Sequence, residues 1–73
     1  MSFDIRDNIR IAIKERCFTQ SAIAEKANMS PVMLSMILNK KRRVEANELY
    51  DLCEAMEIPP TELRDRYGTQ TPV

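Results

Sequence analysis

The sequence of 73 residues contains no histidine, no tryptophan and a single glycine, Gly68. Without histidine, neither a Ser-His-Asp nor a Cys-His nucleophilic system can be assembled. Two cysteines, Cys17 and Cys53, are too few for a structural zinc site that lacks histidine ligands. One glycine cannot supply a phosphate-cradling loop. We therefore expect no enzyme, no metal, no cofactor and no small-molecule substrate.

Aromatic side chains and long apolar runs are also scarce. A small β-barrel or sandwich would need more aromatic and β-branched residues and more turn glycines, so the composition favours helices. No apolar run exceeds three residues, and we expect no membrane span. Asp4 and Asp7 lie near the amino terminus, which lacks the apolar stretch of a secretory signal. These features predict a cytoplasmic protein whose two thiols stay reduced.

Charge is divided unevenly along a chain whose formal net charge is zero. Residues 1–43 contain nine basic and four acidic residues, whereas residues 44–73 contain two basic and seven acidic ones. The basic half ends in the run Lys40-Lys41-Arg42-Arg43. This division favours a polyanion partner on one side of the molecule. A solvated basic loop beside an acidic helix would give the same pattern, and charge alone leaves both interpretations open.

Apolar residues recur at helical spacing along most of the chain, as in Ile5, Ile9 and Ile13. Helix-capping residues and prolines mark where the periodic segments begin. We expect five helices: a first from residue 3 or 4 to 16, capped by Ser2 or Asp4; a second over 20–27, capped by Thr19; a third over 31–39, capped by Ser30; a fourth over 46–57; and a fifth from Pro60 or Thr61 to Tyr67.

Only Asn28 and Met29 separate the second expected helix from the cap of the third. Two short helices joined by a tight turn are typical of a helix-turn-helix, whose second helix enters the DNA major groove. The stretch FTQSAIAEKANMSPVMLSMILNKKR, followed by ELYDLCEAMEIPPTEL, resembles the phage-repressor/Cro-like (XRE) helix-turn-helix family. The resemblance extends over residues 9–67. It implies an all-α fold, a compact five-helix lambda-repressor-like DNA-binding domain.

The resemblance also implies which side chains would meet DNA. The residues that would face the base edges are Ser30, Pro31, Val32, Ser35 and Met36. The residues that would contact the DNA backbone are Gln20, Asn39, Lys40, Lys41, Arg42 and Arg43. A helical wheel independently places Leu34, Ile37 and Leu38 together on the opposite, apolar face of the third helix.

The implied function is that of a sequence-specific, repressor-like transcriptional regulator that binds a double-stranded DNA operator. Its recognition helix would be residues 31–39. Such a domain is expected to act as a homodimer that places two recognition helices one DNA turn apart, about 34 Å. We expect the DNA-binding domain to span residues 1–67 and a flexible tail to span residues 68–73.

The expected recognition face is poor in the polar side chains that usually read base edges. Val32 and Met36 could still contact thymine methyl groups. An exposed apolar patch can instead mark a protein interface, so the alternative function is a protein–protein interaction module, an antirepressor or antitoxin-type adaptor that reuses the fold. The sequence leaves open whether Tyr50 and Tyr67 pack on the surface or in a dimer contact.

The sequence departs from the family pattern at three places. Asn28 stands where relatives usually have glycine, and asparagine tolerates the left-handed conformation. Lys40 stands where another glycine often ends the third helix, which suggests a frayed or differently capped end. Ile13 and Leu38 replace an ion pair found in many relatives, and an apolar pair avoids the desolvation cost of burying charges.

Overall fold

The computed structural model describes residues 4–67, which form five helices and no strand. The helices are α1 (Ile5–Glu15), α2 (Gln20–Lys26), α3 (Pro31–Leu38), α4 (Ala46–Met56) and α5 (Pro60–Arg66). The predicted all-α, five-helix fold is therefore confirmed, with α1 to α5 each ending one residue earlier than expected. None of these five helices has the length and apolar character that a bilayer crossing requires. The expected tail, residues 68–73, lies outside the described residues.

Side-chain caps fix where the first three helices begin. Asp4 accepts a hydrogen bond from the backbone amide of Arg6 at 3.0 Å, and Thr19 accepts one from Ala22 at 3.3 Å. Each cap satisfies an amide that has no partner within its own helix. Asp4 is confirmed as the cap of α1, while the alternative cap, Ser2, lies outside the described residues.

The carboxyl ends of four helices share one unusual feature, a non-glycine residue in the left-handed conformation. Cys17, Asn28, Lys40 and Glu57 have φ values of 58°, 61°, 63° and 59°. The amide that follows each residue closes a Schellman motif: Phe18 donates to the Ile13 carbonyl, Met29 to Ala24, Lys41 to Met36 and Ile58 to Cys53, at 2.8 to 3.0 Å. The expected conformation of Asn28 is confirmed. The frayed or different end expected at Lys40 is wrong, because the backbone bonds of the motif hold lysine in the conformation that suits glycine.

A single core joins all five helices. Its members are the buried apolar side chains Ile9, Ala12, Ile13, Ile23, Ala24, Ala27, Met29, Leu34, Ile37, Leu38, Leu52, Cys53, Ala55, Met56, Ile58, Leu63 and Tyr67. Ile13 and Leu38 are both in this set, as expected for an apolar pair that replaces an ion pair. Cys53 is buried, Cys17 is exposed and neither thiol forms a disulfide within residues 4–67.

Two polar contacts attach α5 to α1. Asn8 is buried, and its side-chain amide donates to the carbonyls of Leu63 at 3.0 Å and Arg64 at 3.2 Å. These carbonyls belong to the last turn of α5, where backbone acceptors have no partner within the helix. Asn8 therefore ties the end of α5 to the middle of α1.

The second contact involves Tyr67, which is buried with only 3% of its surface exposed. Its hydroxyl accepts a hydrogen bond of 2.8 Å from Nε of Arg16, whose guanidinium carbon lies 5.7 Å from the ring centroid. A buried ring with a satisfied hydroxyl offers nothing to a second copy of the chain. The surface and dimer roles considered for Tyr67 are therefore wrong.

The left-handed helix ends predict a simple stabilising substitution. A residue with a Cβ costs about 1–2 kcal/mol in this conformation and glycine does not. Part of this advantage is lost because glycine raises the conformational entropy of the unfolded chain. We expect Cys17→Gly to raise the free energy of unfolding by about 1 kcal/mol in urea titration followed by circular dichroism. Cys17→Ala is the matched control, since it removes the thiol but keeps the Cβ. Equal stabilities of the two variants would contradict this account of the helix ends.

Candidate nucleic-acid interface

The turn between α2 and α3 is short because its residues serve both helices. Asn28 ends α2 in the left-handed conformation, and Met29, buried in the core, follows it. Ser30 then begins α3, and its Oγ accepts a hydrogen bond from the Met33 amide at 3.1 Å. Pro31 occupies the first position of the helix, where a missing amide proton has no cost. Four residues, 27–30, thus separate α2 from α3, and the turn brings the two helices into contact.

Burial fixes the rotation of α3 about its own axis. Leu34, Ile37 and Leu38 lie in the core, whereas Val32 is 68% exposed and Met36 is 41% exposed. The outward face of α3, as we call it below, consists of Pro31, Val32, Ser35 and Met36; Ser35 is half-buried and the other three are exposed. The helical wheel derived from the sequence therefore assigned the inner and outer faces correctly.

Polar side chains flank this face at both of its ends. Gln20 is the exposed first residue of α2. At the other end, Nδ2 of Asn39 donates to Oγ of Ser35 at 3.3 Å, one helical turn away. That bond leaves the Asn39 carbonyl oxygen and the Ser35 hydroxyl proton available to another molecule. Polar side chains thus lie at both ends of an outward face whose centre, Val32 and Met36, is apolar.

The basic loop, residues 40–44, contains two tethered cations. Nζ of Lys40 lies 3.0 Å from the Asp7 carboxylate and 3.7 Å from that of Asp4. Arg42 binds Glu48 with two parallel hydrogen bonds of 2.8 and 2.9 Å. These salt bridges connect the loop to α1 on one side and to α4 on the other. Lys40 and Arg42 are among the residues that the resemblance assigns to the DNA backbone, but no feature of the sequence indicates these carboxylate partners.

The other two loop cations, Lys41 and Arg43, are exposed and form no salt bridge within residues 4–67. A cation without a carboxylate partner can approach a phosphate group at no cost in broken ion pairs. Of the four cations expected to contact DNA, Lys40 and Arg42 therefore hold the loop in place. Lys41 and Arg43 are free to bind a phosphate group.

Two carboxylates in these tethers, those of Asp4 and Glu48, are held ionised by their arginine partners. The hydrogen bond from the Arg6 side chain lowers the pKa of Asp4 to about 2, and the hydrogen bonds from Arg42 lower the pKa of Glu48 below its usual value. Arg6 also donates to the backbone carbonyl of Arg42 at 3.2 Å. The Arg6–Asp4 and Arg42–Glu48 pairs therefore keep both of their charges at neutral pH.

The amino-acid sequence over residues 9–63 matches the helix-turn-helix family model, so this chain belongs to the helix-turn-helix family. No curated protein matches it by sequence.

The structure is similar to that of a point mutant of the restriction-modification controller protein C.Esp1396I, with a TM-score of 0.81 and 19% identity over 86% of this chain and 82% of that one. It is also similar to the clp gene regulator ClgR from C. glutamicum, with a TM-score of 0.77 and 20% identity over 81% and 77% of the two chains.

A third similar structure contains nucleic acid. It is the P22 c2 repressor protein in complex with synthetic operator 9T, with a TM-score of 0.71 and 20% identity over 88% of this chain and 97% of that one. These likenesses confirm the expected lambda-repressor-like arrangement of the five helices.

Proposed function

We propose that this chain is a sequence-specific, repressor-like transcriptional regulator that inserts α3 into the major groove of double-stranded DNA. The observation that carries the proposal is the combination of an outward face on α3 with Lys41 and Arg43 in the loop that follows it, two cations that form no salt bridge within residues 4–67. An α-helix fits the major groove, and phosphates flank both sides of the groove. The helix-turn-helix family, and the operator complex of the P22 c2 repressor, support this arrangement.

The base-facing residues in this proposal are those expected from the sequence: Ser30, Pro31, Val32, Ser35 and Met36. Val32 and Met36 have the largest exposed apolar side chains of α3, and the thymine methyl group is the one apolar feature of the major-groove edge. Ser35 and Asn39 would add hydrogen bonds, with Asn39 at the border between bases and backbone. Recognition would therefore depend mainly on the positions of thymines.

The backbone-facing residues divide into two roles. Lys41 and Arg43 would bind phosphates directly, together with Gln20 at the start of α2. Lys40 and Arg42 would instead hold the loop in place through Asp7 and Glu48, with their charge shared between carboxylate and DNA. This division keeps Lys41 and Arg43 as the main phosphate contacts among the four cations expected at the DNA backbone.

The wider proposal follows the sequence-based expectations. The DNA-binding domain would span residues 1–67, act in the cytoplasm and bind operators as a homodimer, because a single α3 has few side chains with which to discriminate bases. Repression would be steric, since a protein that occupies the operator excludes polymerase. The alternative, a protein-interaction adaptor, rests on the same exposed Val32 and Met36.

Salt dependence tests the division of roles among the loop cations. We expect Lys41→Ala and Arg43→Ala to weaken binding to all duplexes alike and to lower the slope of log affinity against log salt by about one. The free energy of unfolding should change by less than about 0.5 kcal/mol. Arg42→Ala is the matched control, and the loss of its paired hydrogen bonds to Glu48 should lower the free energy of unfolding while leaving the salt slope closer to that of the unchanged protein.

Fluorescence anisotropy with labelled duplexes at several salt concentrations measures both the affinity and the slope. An affinity that does not depend on salt, or no binding to any duplex at low salt, would contradict DNA binding altogether. A slope that falls for Arg42→Ala but not for Lys41→Ala would instead contradict the assigned roles.

Thymine recognition gives a test of the outward face. With an operator obtained by selection from random DNA, Val32→Ala should cost about 1 kcal/mol of binding, the order of one buried methylene or somewhat more. Replacing the contacted thymine by uracil, which lacks the methyl group, should weaken the unchanged protein but hardly affect the variant.

Because Val32 faces away from the core, the thermal midpoint of Val32→Ala should stay within a few degrees of that of the unchanged protein. Unchanged affinity and base preference, combined with loss of a protein complex, would favour the adaptor function. Unfolding of the variant would show that α3 is rotated differently from the structure described above.

A further inference from the structure

The basic loop is anchored to the rest of the fold at its two ends. At its start, the Lys41 amide donates to the Met36 carbonyl at 2.8 Å, and at its end the Val44 side chain packs against the core. The Glu45 amide, which follows the loop, donates to the Glu48 carboxylate at 3.0 Å. These contacts fix the two ends of the loop but not the two residues in its middle.

The middle of the loop, Arg42 and Arg43, forms no backbone–backbone hydrogen bond within residues 4–67. Its carbonyl oxygens accept from arginine side chains instead. The Arg42 carbonyl accepts from Nη1 of Arg6 at 3.2 Å, and the Arg43 carbonyl accepts from Nη1 of Arg42 at 3.0 Å. The second bond joins neighbouring residues, so it cannot hold the loop against another element. In the described part of the chain, only the bond from Arg6 ties the backbone of residues 42 and 43 to a helix.

Arg6 is itself held in one orientation. Its Nε and Nη2 donate to the two oxygens of the Asp4 carboxylate at 2.9 and 2.8 Å, the paired geometry that suits a planar guanidinium. Asp4 is in turn fixed as the cap of α1 by the hydrogen bond that it accepts from the Arg6 amide. The Arg6 Nη1 atom is therefore positioned by α1 before it meets the Arg42 carbonyl.

We propose that Arg6 is a positioning residue for DNA binding, because its bond to the Arg42 carbonyl holds the loop backbone so that Lys41 and Arg43 face phosphates. Arg6 acts through the loop and does not itself contact DNA. The inference rests on the proposed function, in which Lys41 and Arg43 bind phosphates. A loop that is held in its bound conformation loses less conformational entropy on binding, and Arg6 raises the affinity in this way.

The Arg6 contact does not depend on the side chain of the residue that it holds. It ends on a backbone oxygen, so Arg42→Ala should lose the hydrogen bonds to Glu48 and keep the one from Arg6. This is why the salt slope of Arg42→Ala should stay close to that of the unchanged protein. Arg6→Gln is the complementary change, which removes the tie to the loop backbone and leaves the pair of Arg42 with Glu48.

Backbone motion in the free protein tests the positioning without DNA. In NMR relaxation measurements on the full chain, Arg6→Gln should lower the order parameters of the amides of residues 42–44 from about 0.85, typical of rigid backbone, toward about 0.6. Arg10→Gln is the matched control, because Arg10 is an exposed arginine of the same helix with no salt bridge within residues 4–67. Order parameters that do not change in Arg6→Gln would overturn the proposal.

Affinity for DNA tests whether the position of the loop matters. At low salt, Arg6→Gln should weaken binding to a duplex of random sequence about tenfold, whereas Arg10→Gln should have a much smaller effect. Arg6→Lys keeps the charge but lacks the planar fork that donates to Asp4 and to the Arg42 carbonyl together, so it should lose nearly as much affinity. Full affinity of Arg6→Lys with a loosened loop would show that the charge alone is sufficient, and would overturn the proposal.

A double-mutant cycle separates positioning from direct contact with DNA. In a protein that already carries Lys41→Ala and Arg43→Ala, adding Arg6→Gln should change the affinity less than about twofold, because the side chains that Arg6 positions are absent. A further loss of about tenfold in this background would mean that Arg6 acts on DNA itself or on the whole fold, and would contradict the proposal.

The two kinds of measurement distinguish a failure of this inference from a failure of the proposed function. A loop that loosens in Arg6→Gln, in a protein that binds no duplex at low salt, would contradict the proposed function and with it the role of Arg6 in DNA binding. A loop that stays rigid in Arg6→Gln, in a protein that binds DNA, would contradict this inference alone.

Discussion

The burial of one side of α3 determines most of what this small domain can do. Leu34, Ile37 and Leu38 enter a core shared with the other four helices, and this fixes which side chains of α3 face outward. A core of this size has no spare apolar surface, so rotating α3 would expose leucine and isoleucine side chains at about 1.5–3 kcal/mol each. The positions of Val32, Ser35 and Met36 are therefore a consequence of packing. The proposed DNA contacts depend on this constraint before they depend on any charge.

In the fold, the basic and the acidic halves of the sequence form different parts of the molecule. The basic half of the chain supplies α3 and the loop behind it, while the acidic half supplies the exposed side of α4. Asp7 and Glu48 lie where the two halves meet, and they hold Lys40 and Arg42 in salt bridges. Lys40 and Arg42 thus hold the loop in one position. In the proposed function, phosphate binding is therefore left to Lys41 and Arg43.

Local features of the sequence were enough to predict the helices. Capping residues such as Thr19 and Ser30, together with the spacing of isoleucine and leucine, act over a few residues and can be recognised without a fold. The contact between Arg16 and Tyr67 and the salt bridge between Lys40 and Asp7 join residues that are 51 and 33 positions apart, so no periodic pattern indicates them. The left-handed ends at Cys17, Lys40 and Glu57 were also missed, because their usual signal is glycine and none stands there.

In the proposed function, DNA binds the outward face of α3 and the basic loop. The most direct test is to measure backbone amide chemical shifts while a selected operator duplex is titrated into the protein. The account predicts large shift changes at Gln20, over residues 30–36 and over residues 39–43. Changes confined to α4 and α5, with none on α3, would contradict the account.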